Sequence, residues 1–311
     1  MSGAWRWFGL ICLWLVTSVA SPAQEEKNIE LARTMPLADV HMHLNGGHDA
    51  THYRRLMDRA NVRWGGAVGG GRDDRPLEVK AALGPRYIAA LGQTEFFGVL
   101  FTAGDKGLYD PDHPVFQRLF AYAPAAFQKG SVRGFGEIHI NNVSPFTPER
   151  GQRRIELESP VVLKMFDLAN RHGGFMQLHT MSNSGLDEIL RVSARYPGVT
   201  IILSHCLPGA SPRQLDSLFR ARSNIYCELS AQGPMHGIER VYGTFGVREA
   251  WRSLIEQQST RFMVGSDACC GLENRYEEII QEIRDYLLPA FTERTMRRIA
   301  FENARQVFRL Q

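Results

Sequence analysis

From about residue 25 onward the sequence alternates short β-rich runs with helical stretches, and no long low-complexity linker or second composition regime interrupts it. The runs expected as strands are 37–43, a weak Gly-rich one at 64–68, 96–101, 132–140, 175–180, 199–205, 225–229 and 262–267. Helical segments fall between them with recognisable starts. Ser159-Pro160 opens one that ends at Gly173-Gly174, and Ser211-Pro212 opens one running to about Ser223. Each has a serine to cap the first free N–H groups and a proline where no N–H is needed. The stretch from about Asn274 to Leu310 is helical with a break at Pro289. Strand then helix, repeated eight times within one domain over residues 24–311, predicts an α/β fold, the (β/α)8 TIM barrel. A doubly wound open sheet is the competing arrangement. The Gly-rich segment Gly65 to Gly71 lacks the GxGxxG spacing and the helix start of a phosphate cradle, so it reads as a loop.

A net charge of +3 over 311 residues gives no electrostatic case for nucleic acid. At the N-terminus Arg6 precedes an apolar run from Trp7 to about Val19, followed by the small-x-Ala patterns Ser18-Val19-Ala20 and Ser21-Pro22-Ala23. This reads as a secretory signal over residues 1–23, removed from a mature protein that is periplasmic or secreted. The run is too short to span a bilayer comfortably, and no lipobox precedes Cys12, so no stable membrane span or lipid anchor is expected. With Cys12 in the leader, Cys206, Cys227, Cys269 and Cys270 remain. An exported chain could pair them, and a bridge within Cys269-Cys270 stays open, but a core of this size needs no disulfide framework. Association into a homo-oligomer is likewise left open.

A barrel places its chemistry at the C-terminal ends of the strands, and the strand ends here carry it. The first ends in His41-Met42-His43, whose two imidazoles share a face at i and i+2 and can grip one metal ion. The fourth places Glu137 and His139 on one face, the fifth and sixth end in His179 and His205, and the last ends in Asp267. Each has an ordinary reading when taken alone, as a satisfied structural histidine, a helix cap or half of an ion pair. Their joint occurrence at one end of several strands points to a metal centre. His48, His52, His113, His172 and His236 fall in loops or helices and keep the ordinary reading.

As a set, the His-x-His strand, the Gly-Glu strand, the two isolated strand-end histidines and the Ser266-Asp267 pair resemble the amidohydrolase superfamily, especially its TatD-like and amidohydrolase-2-like branches. Glu302 to Phe308 is similar to the closing helix of that superfamily, and the likeness covers nearly all of the mature chain. The resemblance implies that His41, His43 and Asp267 bind the more buried metal. It implies that Glu137 bridges two ions where other members use a carboxylated lysine, and that His179 and His205 hold the second. In single-metal members the residue matching His179 joins the first metal and the one matching His205 assists catalysis unligated. Ile138-His139-Ile140 stands where the TatD-like pattern has glycine-leucine-aspartate, which sets this chain apart from that nuclease branch.

Imidazoles and carboxylates suit Zn²⁺, one or two ions, with Mn²⁺, Fe²⁺ or Ni²⁺ as other occupants. Such a metal lowers the pKa of bound water from about 16 to about 7. Asp267 would take the proton and relay it, while the metal or His205 polarises the bond under attack. The expected activity is an exported metal-dependent hydrolase cleaving an ester, lactone, amide or phosphoester of a small molecule. The alternatives are a mononuclear-metal decarboxylase of an unsaturated or aromatic acid, and a barrel without catalysis that serves as a binding protein. Candidate substrate selectors are Asn45, His139, Asn141, Glu228 and Arg275, with Phe96-Phe97 and Asp110 to His113 as pocket wall or packing. Asn142-Val143-Ser144 fits a glycosylation sequon.

Overall fold

Runs such as Phe-Met-Gln-Leu and Thr-Ile-Ile-Leu, buried on both faces, pair in parallel as strands covered by helices on the outside do. The computed structural model describes residues 22–44, 48–69, 75–143, 152–182 and 185–311. Helix α1 (Pro22–Thr34) leads into β1 (Leu37–Asp39), α2 (Ala50–Arg59), β2 (Val62–Gly66), α3 (Arg75–Leu83), β3 (Tyr87–Ile88) and β4 (Ala90–Gly92). There follow α4 (Gln93–Gly107), α5 (Pro114–Gln128), β5 (Gly134–His139), α6 (Pro160–His172), β6 (Phe175–His179), α7 (Leu186–Arg195), β7 (Thr200–Leu203), α8 (Pro212–Ala221) and β8 (Ile225–Glu228). A hairpin of β9 (Tyr242–Gly243) and β10 (Gly246–Val247) precedes α9 (Glu249–Gln257) and β11 (Phe262–Met263), and α10 (Tyr276–Glu282), α11 (Glu293–Arg297) and α12 (Asn303–Phe308) close the chain.

Two parallel sheets result, ordered β1-β2-β3 and β11-β8-β7-β6-β5-β4. They are halves of one (β/α)8 barrel. At one seam β3 and β4 are a single run with a break at Ala89, pairing first with β2 and then with β5. At the other, Val40 N–H donates to Val264 O at 3.1 Å and Asp267 N–H to His41 O at 2.9 Å.

The helix signals at Ser159-Pro160 and Ser211-Pro212 give α6 and α8, with Ser159 Oγ and Ser211 Oγ accepting the expected backbone N–H groups and Gly173 turning left-handed after α6. The third expected strand is a correction. Residues 96–101 lie in α4, and the strand runs earlier, through β3 and β4. Gly92 at φ +98° ends the strand, and the Glu95 carboxylate reaches back to accept its N–H at 3.1 Å, one half of a capping box. Gln93, Phe96 and Val99 are then buried at a spacing of three, whereas Phe101 is 72% exposed. Residues 1–21 of the expected leader, with its first cleavage motif, lie outside the described residues, as do Asn45 and Ser144, whereas Pro22 and Ala23 begin α1. Among the described residues no helix is long and apolar enough to cross a membrane.

At the end of the barrel away from the strand C-termini, buried Arg284 donates to four carbonyls, Ala32 O at 2.6 Å, Met35 O at 2.9 Å, Ala60 O at 3.2 Å and Asn61 O at 3.0 Å. It ties the C-terminal helices to the chain entering β1 and β2. Burial lowers its pKa to about 10, which still leaves it charged at neutral pH. Arg284→Met is expected to lower stability by about 3 kcal/mol, because four carbonyls, two of them in buried bonds, lose their donor at once. Urea unfolding checks this, and an unchanged midpoint would contradict it.

Candidate metal centre

The ladder of β1 stops at Asp39, and the His41 N–H turns onto the Asp39 carboxylate at 3.0 Å instead of continuing it. Asp39 is fully buried and also accepts the Ser266 N–H at 2.8 Å and the Ser266 hydroxyl at 2.7 Å. One carboxylate thereby holds the two segments that carry His41 and Asp267 in register. Burial raises its pKa, and the hydrogen bonds from Ser266 and His41 work against that rise. Gly265, just before this lock, has no room for a side chain, since a Cβ would meet His41 Cβ at 2.6 Å and Glu228 Oε2 at 2.8 Å.

The six residues expected as ligands come together at the barrel mouth. His43 Nε2 lies 3.0 Å from Asp267 Oδ1, and His41 Nε2 lies 3.4 Å from the same oxygen and 3.4 Å from Glu137 Oε2. The other Glu137 oxygen, Oε1, is 2.8 Å from His179 Nδ1 and 3.3 Å from His205 Nε2, and those two nitrogens are 3.2 Å apart. Glu137 therefore stands between two donor sets, one on each oxygen. Three of the six, His41, Glu137 and His205, are buried, and the remainder are partly so.

The electrostatics follow from burying acids among imidazoles. Burial alone would raise Glu137, yet His139, His41 and His179 hold it well below the usual carboxylate range. Burial would likewise raise Asp267, and His41, His205 and His43 hold it down. For His41, burial works downward, but the carboxylates of Glu137, Glu228 and Asp267 carry it well above the usual histidine range.

Whether a metal fits here turns on how the His41 ring is oriented. Its Nδ1 faces Glu228 Oε1 at 2.9 Å, which turns Nε2 toward Glu137 and Asp267, and that buried nitrogen has no hydrogen-bond partner among the described residues. A carboxylate behind a histidine with the other nitrogen left open is the arrangement that orients a metal ligand. Three overlapping groups among the described residues could hold a divalent ion: His41, His43 and Asp267; His41, Glu137 and His205; and Glu137, His139 and His179.

Some residues take roles that sequence reasoning did not assign. Glu228, read as a substrate selector, is fully buried behind the candidate ligands, where Oε1 accepts the His205 N–H at 2.6 Å and Oε2 the Ser230 N–H at 2.8 Å. Its place one residue before a strand end was the only available signal. Arg275 is not near the centre either; it is exposed and pairs with Glu278 at 2.6 Å. Asn141 is buried and caps the Val143 N–H, and His113 caps the start of α5. Of the selectors, His139 does border the site. Its Nε2 is 3.1 Å from Glu137 Oε2, its ring stacks on His179 at 4.5 Å, and burial with the neighbouring charges of His179 and Arg153 lowers it to about 3, so it is neutral. Three residues outside the expected set complete the surroundings. Gln93 donates to Glu137 Oε2 at 3.3 Å, His236 Nε2 meets Asp267 O at 3.1 Å, and Cys269 Sγ meets Asp267 Oδ1 at 3.3 Å. His48 and His52 stack 3.9 Å apart and line a small cavity with His43 and Glu273.

His205 is carried on an unusual backbone. His205, Cys206 and Leu207 lie in succession at φ +52°, +52° and +55°, in the left-handed region that costs roughly 1–2 kcal/mol per non-glycine residue. Asp267 is left-handed as well, at φ +51°. Among the described residues, Cys206 and Cys227 form a disulfide, and Cys269 and Cys270 are free.

Residues 38–310 match the family model described as Amidohydrolase. This chain belongs to the amidohydrolase family. Solved structures share the barrel at low identity. A probable 2-pyrone-4,6-dicarboxylic acid hydrolase from Acinetobacter baumannii, with citric acid bound, is 12% identical over 88% of this chain and 97% of its own, with a TM-score of 0.52. The 5-carboxyvanillate decarboxylase of Sphingomonas paucimobilis is 14% identical over 84% and 83%, with a TM-score of 0.52. The 2,6-dihydroxybenzoate decarboxylase from Rhizobium is 14% identical over 83% and 87%, with a TM-score of 0.51. No curated protein sequence matches. The family and the donor set together make this a metal-dependent enzyme family member with a candidate divalent-metal centre.

Glu228→Gln keeps an acceptor for His41 Nδ1 but removes the charge behind it. Metal affinity is expected to fall about 10- to 100-fold, read by competition with a chromophoric chelator. Unaltered affinity would contradict the orienting role.

Proposed function

We propose that this chain is a zinc-dependent hydrolase that cleaves an ester, lactone, amide or phosphoester of a small molecule, and that the leader at residues 1–23 exports it to the periplasm or the exterior. The observation that carries the reading is the placement of Glu137, with Oε1 on His179 and His205 and Oε2 on His41. His41, His43 and Asp267 would hold one ion, and Glu137, His179 and His205 a second. The oxygen and nitrogen donors suit Zn²⁺, with no thiolate in the set. A bound divalent metal supplies a nucleophile at neutral pH and a Lewis acid for the bond under attack.

The protein's own groups supply the proton handling. Asp267, kept ionised by its histidine neighbours, has Oδ1 on His43 while Oδ2 lies 3.8 Å from His205 Nδ1. A carboxylate in that position takes the proton of the attacking group and returns it to the leaving group. His205 Nδ1 rests on Ser230 Oγ at 2.9 Å, which aims Nε2 at the centre. If a single ion is bound, His205 Nε2 is free to donate to the oxygen on which charge develops.

One feature favours the decarboxylase reading in second place. The Arg153 guanidinium lies 4.8 Å over the Phe97 ring, and His139 packs against that ring at 4.6 Å. Burial lowers Arg153 to about 10, so it carries charge at neutral pH. A cation beside an aromatic wall suits an aromatic acid, and two structures with this barrel are decarboxylases of such acids.

Metal analysis of the purified protein, followed by lactones, esters, dipeptides and phosphoesters, tests the proposal. Two equivalents support Glu137 as a bridge; one moves His205 from ligand to catalyst. Asp267→Asn is expected to retain metal and lower kcat by at least 100-fold, and an unchanged kcat would remove the proton role. Release of CO2 from an aromatic acid with no hydrolysis of the panel would reverse the order of the two readings.

A further inference from the structure

We infer that the Cys206–Cys227 disulfide is a positioning element of the metal centre, a clamp on the His205 arm that must be closed before the centre takes its full affinity. The inference rests on the metal-centre reading given above and adds a redox requirement to it. The bond joins the residue after His205 to the residue before Glu228, with a Cα–Cα separation of 4.6 Å. Those two neighbours are themselves linked, because Glu228 Oε1 accepts the His205 N–H at 2.6 Å and faces His41 Nδ1 at 2.9 Å. The cross-link thus fixes the distance between one candidate ligand, His205, and the carboxylate that orients another, His41.

The barrel itself has little need of it. Strands β7 and β8 are already paired at Leu203 and Cys227, and a core of this size does not depend on covalent staples. The loop after β7 is what lacks regular support, since its three left-handed residues cannot join the ladder. Arg240 collects its carbonyls, with Nη2 on His205 O at 2.6 Å and Cys206 O at 3.0 Å and Nη1 on Leu207 O at 3.2 Å. That guanidinium holds the loop from the side of the hairpin β9-β10, and on the side of β8 the single His205–Glu228 hydrogen bond is joined by the disulfide as the one covalent tie. A ligand displaced by about 1 Å loses much of its contribution to a metal site.

Both cysteines are wholly buried, so a reductant reaches the bond only when the structure opens. The bond is therefore set during folding and is not a rapid switch. Its reduction breaks the Sγ–Sγ bond and places one electron and one proton on each sulfur, supplied by a dithiol that closes to its own disulfide. This fits a chain that matures in an oxidising compartment.

The test uses the full chain refolded in a glutathione redox buffer, the same chain refolded and kept in dithiothreitol without oxygen, and the C206A/C227A variant. Thiol titration in denaturant verifies the state, with two fewer reactive thiols in the oxidised form. Co²⁺ is the probe, and its affinity and visible ligand-field spectrum are recorded at 25 °C on samples whose near-UV circular dichroism shows a folded protein. The clamp predicts that reduced wild type and the variant are folded, bind Co²⁺ at least about tenfold more weakly and give an altered ligand-field band. Folded samples with the affinity and spectrum of the oxidised protein would overturn it. So would failure of both to fold, since the bond would then be a staple of the barrel. Oxidised wild type that takes up no Co²⁺ brings down the metal-centre reading and the clamp with it, whereas equal binding in all three removes the clamp alone.

Discussion

Three carboxylates buried or nearly so among imidazoles set the terms for the rest of this structure. Glu137, Glu228 and Asp267 all pair with histidines at the barrel mouth. Removing a carboxylate from water costs several kcal/mol unless a positive charge and hydrogen bonds offset it. Part of that offset comes from His41, which these acids drive toward its protonated form. A divalent cation offsets it more completely, because it answers several carboxylates at once and accepts the nitrogen lone pairs that a proton would otherwise occupy.

The fold spends its irregularity where these charges meet. His205, Cys206, Leu207 and Asp267 adopt left-handed conformations just beyond the strands, and the His41 N–H is diverted to the Asp39 carboxylate that also holds Ser266. Conformations of this kind persist where surrounding contacts over-determine them, and they concentrate at functional sites. The opposite end of the barrel is ordinary by comparison. There Arg284 gathers four main-chain carbonyls and joins the terminal helices to the first two strands. Stability at one end and strained, charged chemistry at the other is the division of labour expected of this barrel.

The candidate ligands are readable in the sequence because each is a distinctive residue at a strand end, and strand ends converge in a barrel. His41, His43, Glu137, His179, His205 and Asp267 could be picked out by type and place alone. Supporting residues were less legible. Asp39 and Ser266 belong to the very motifs that drew attention, but their hydrogen bond joins residues 227 positions apart, which no local pattern shows. Glu228 looked like a substrate contact because a charged residue near a strand end normally faces the mouth, and here it lies behind the ligands. The run 96–101 reads as a strand in the sequence because a short apolar segment has no decisive period. Burial of Phe96 with exposure of Phe101 resolves it as a helix. The pairing of Cys206 with Cys227 is not legible in the sequence, since cysteine positions alone do not say which are joined and which stay free.

The central claim is that Glu137 divides two donor sets, with the open nitrogen of His41 on one side and His179 and His205 on the other. The most direct measurement is an anomalous-difference map from crystals of the metal-loaded protein, collected on both sides of the zinc edge. The account predicts a peak about 2.0–2.2 Å from His41 Nε2 and His43 Nε2, with any second peak across Glu137 against His179 and His205. A metal peak elsewhere, with His41 Nε2 unligated, would contradict it.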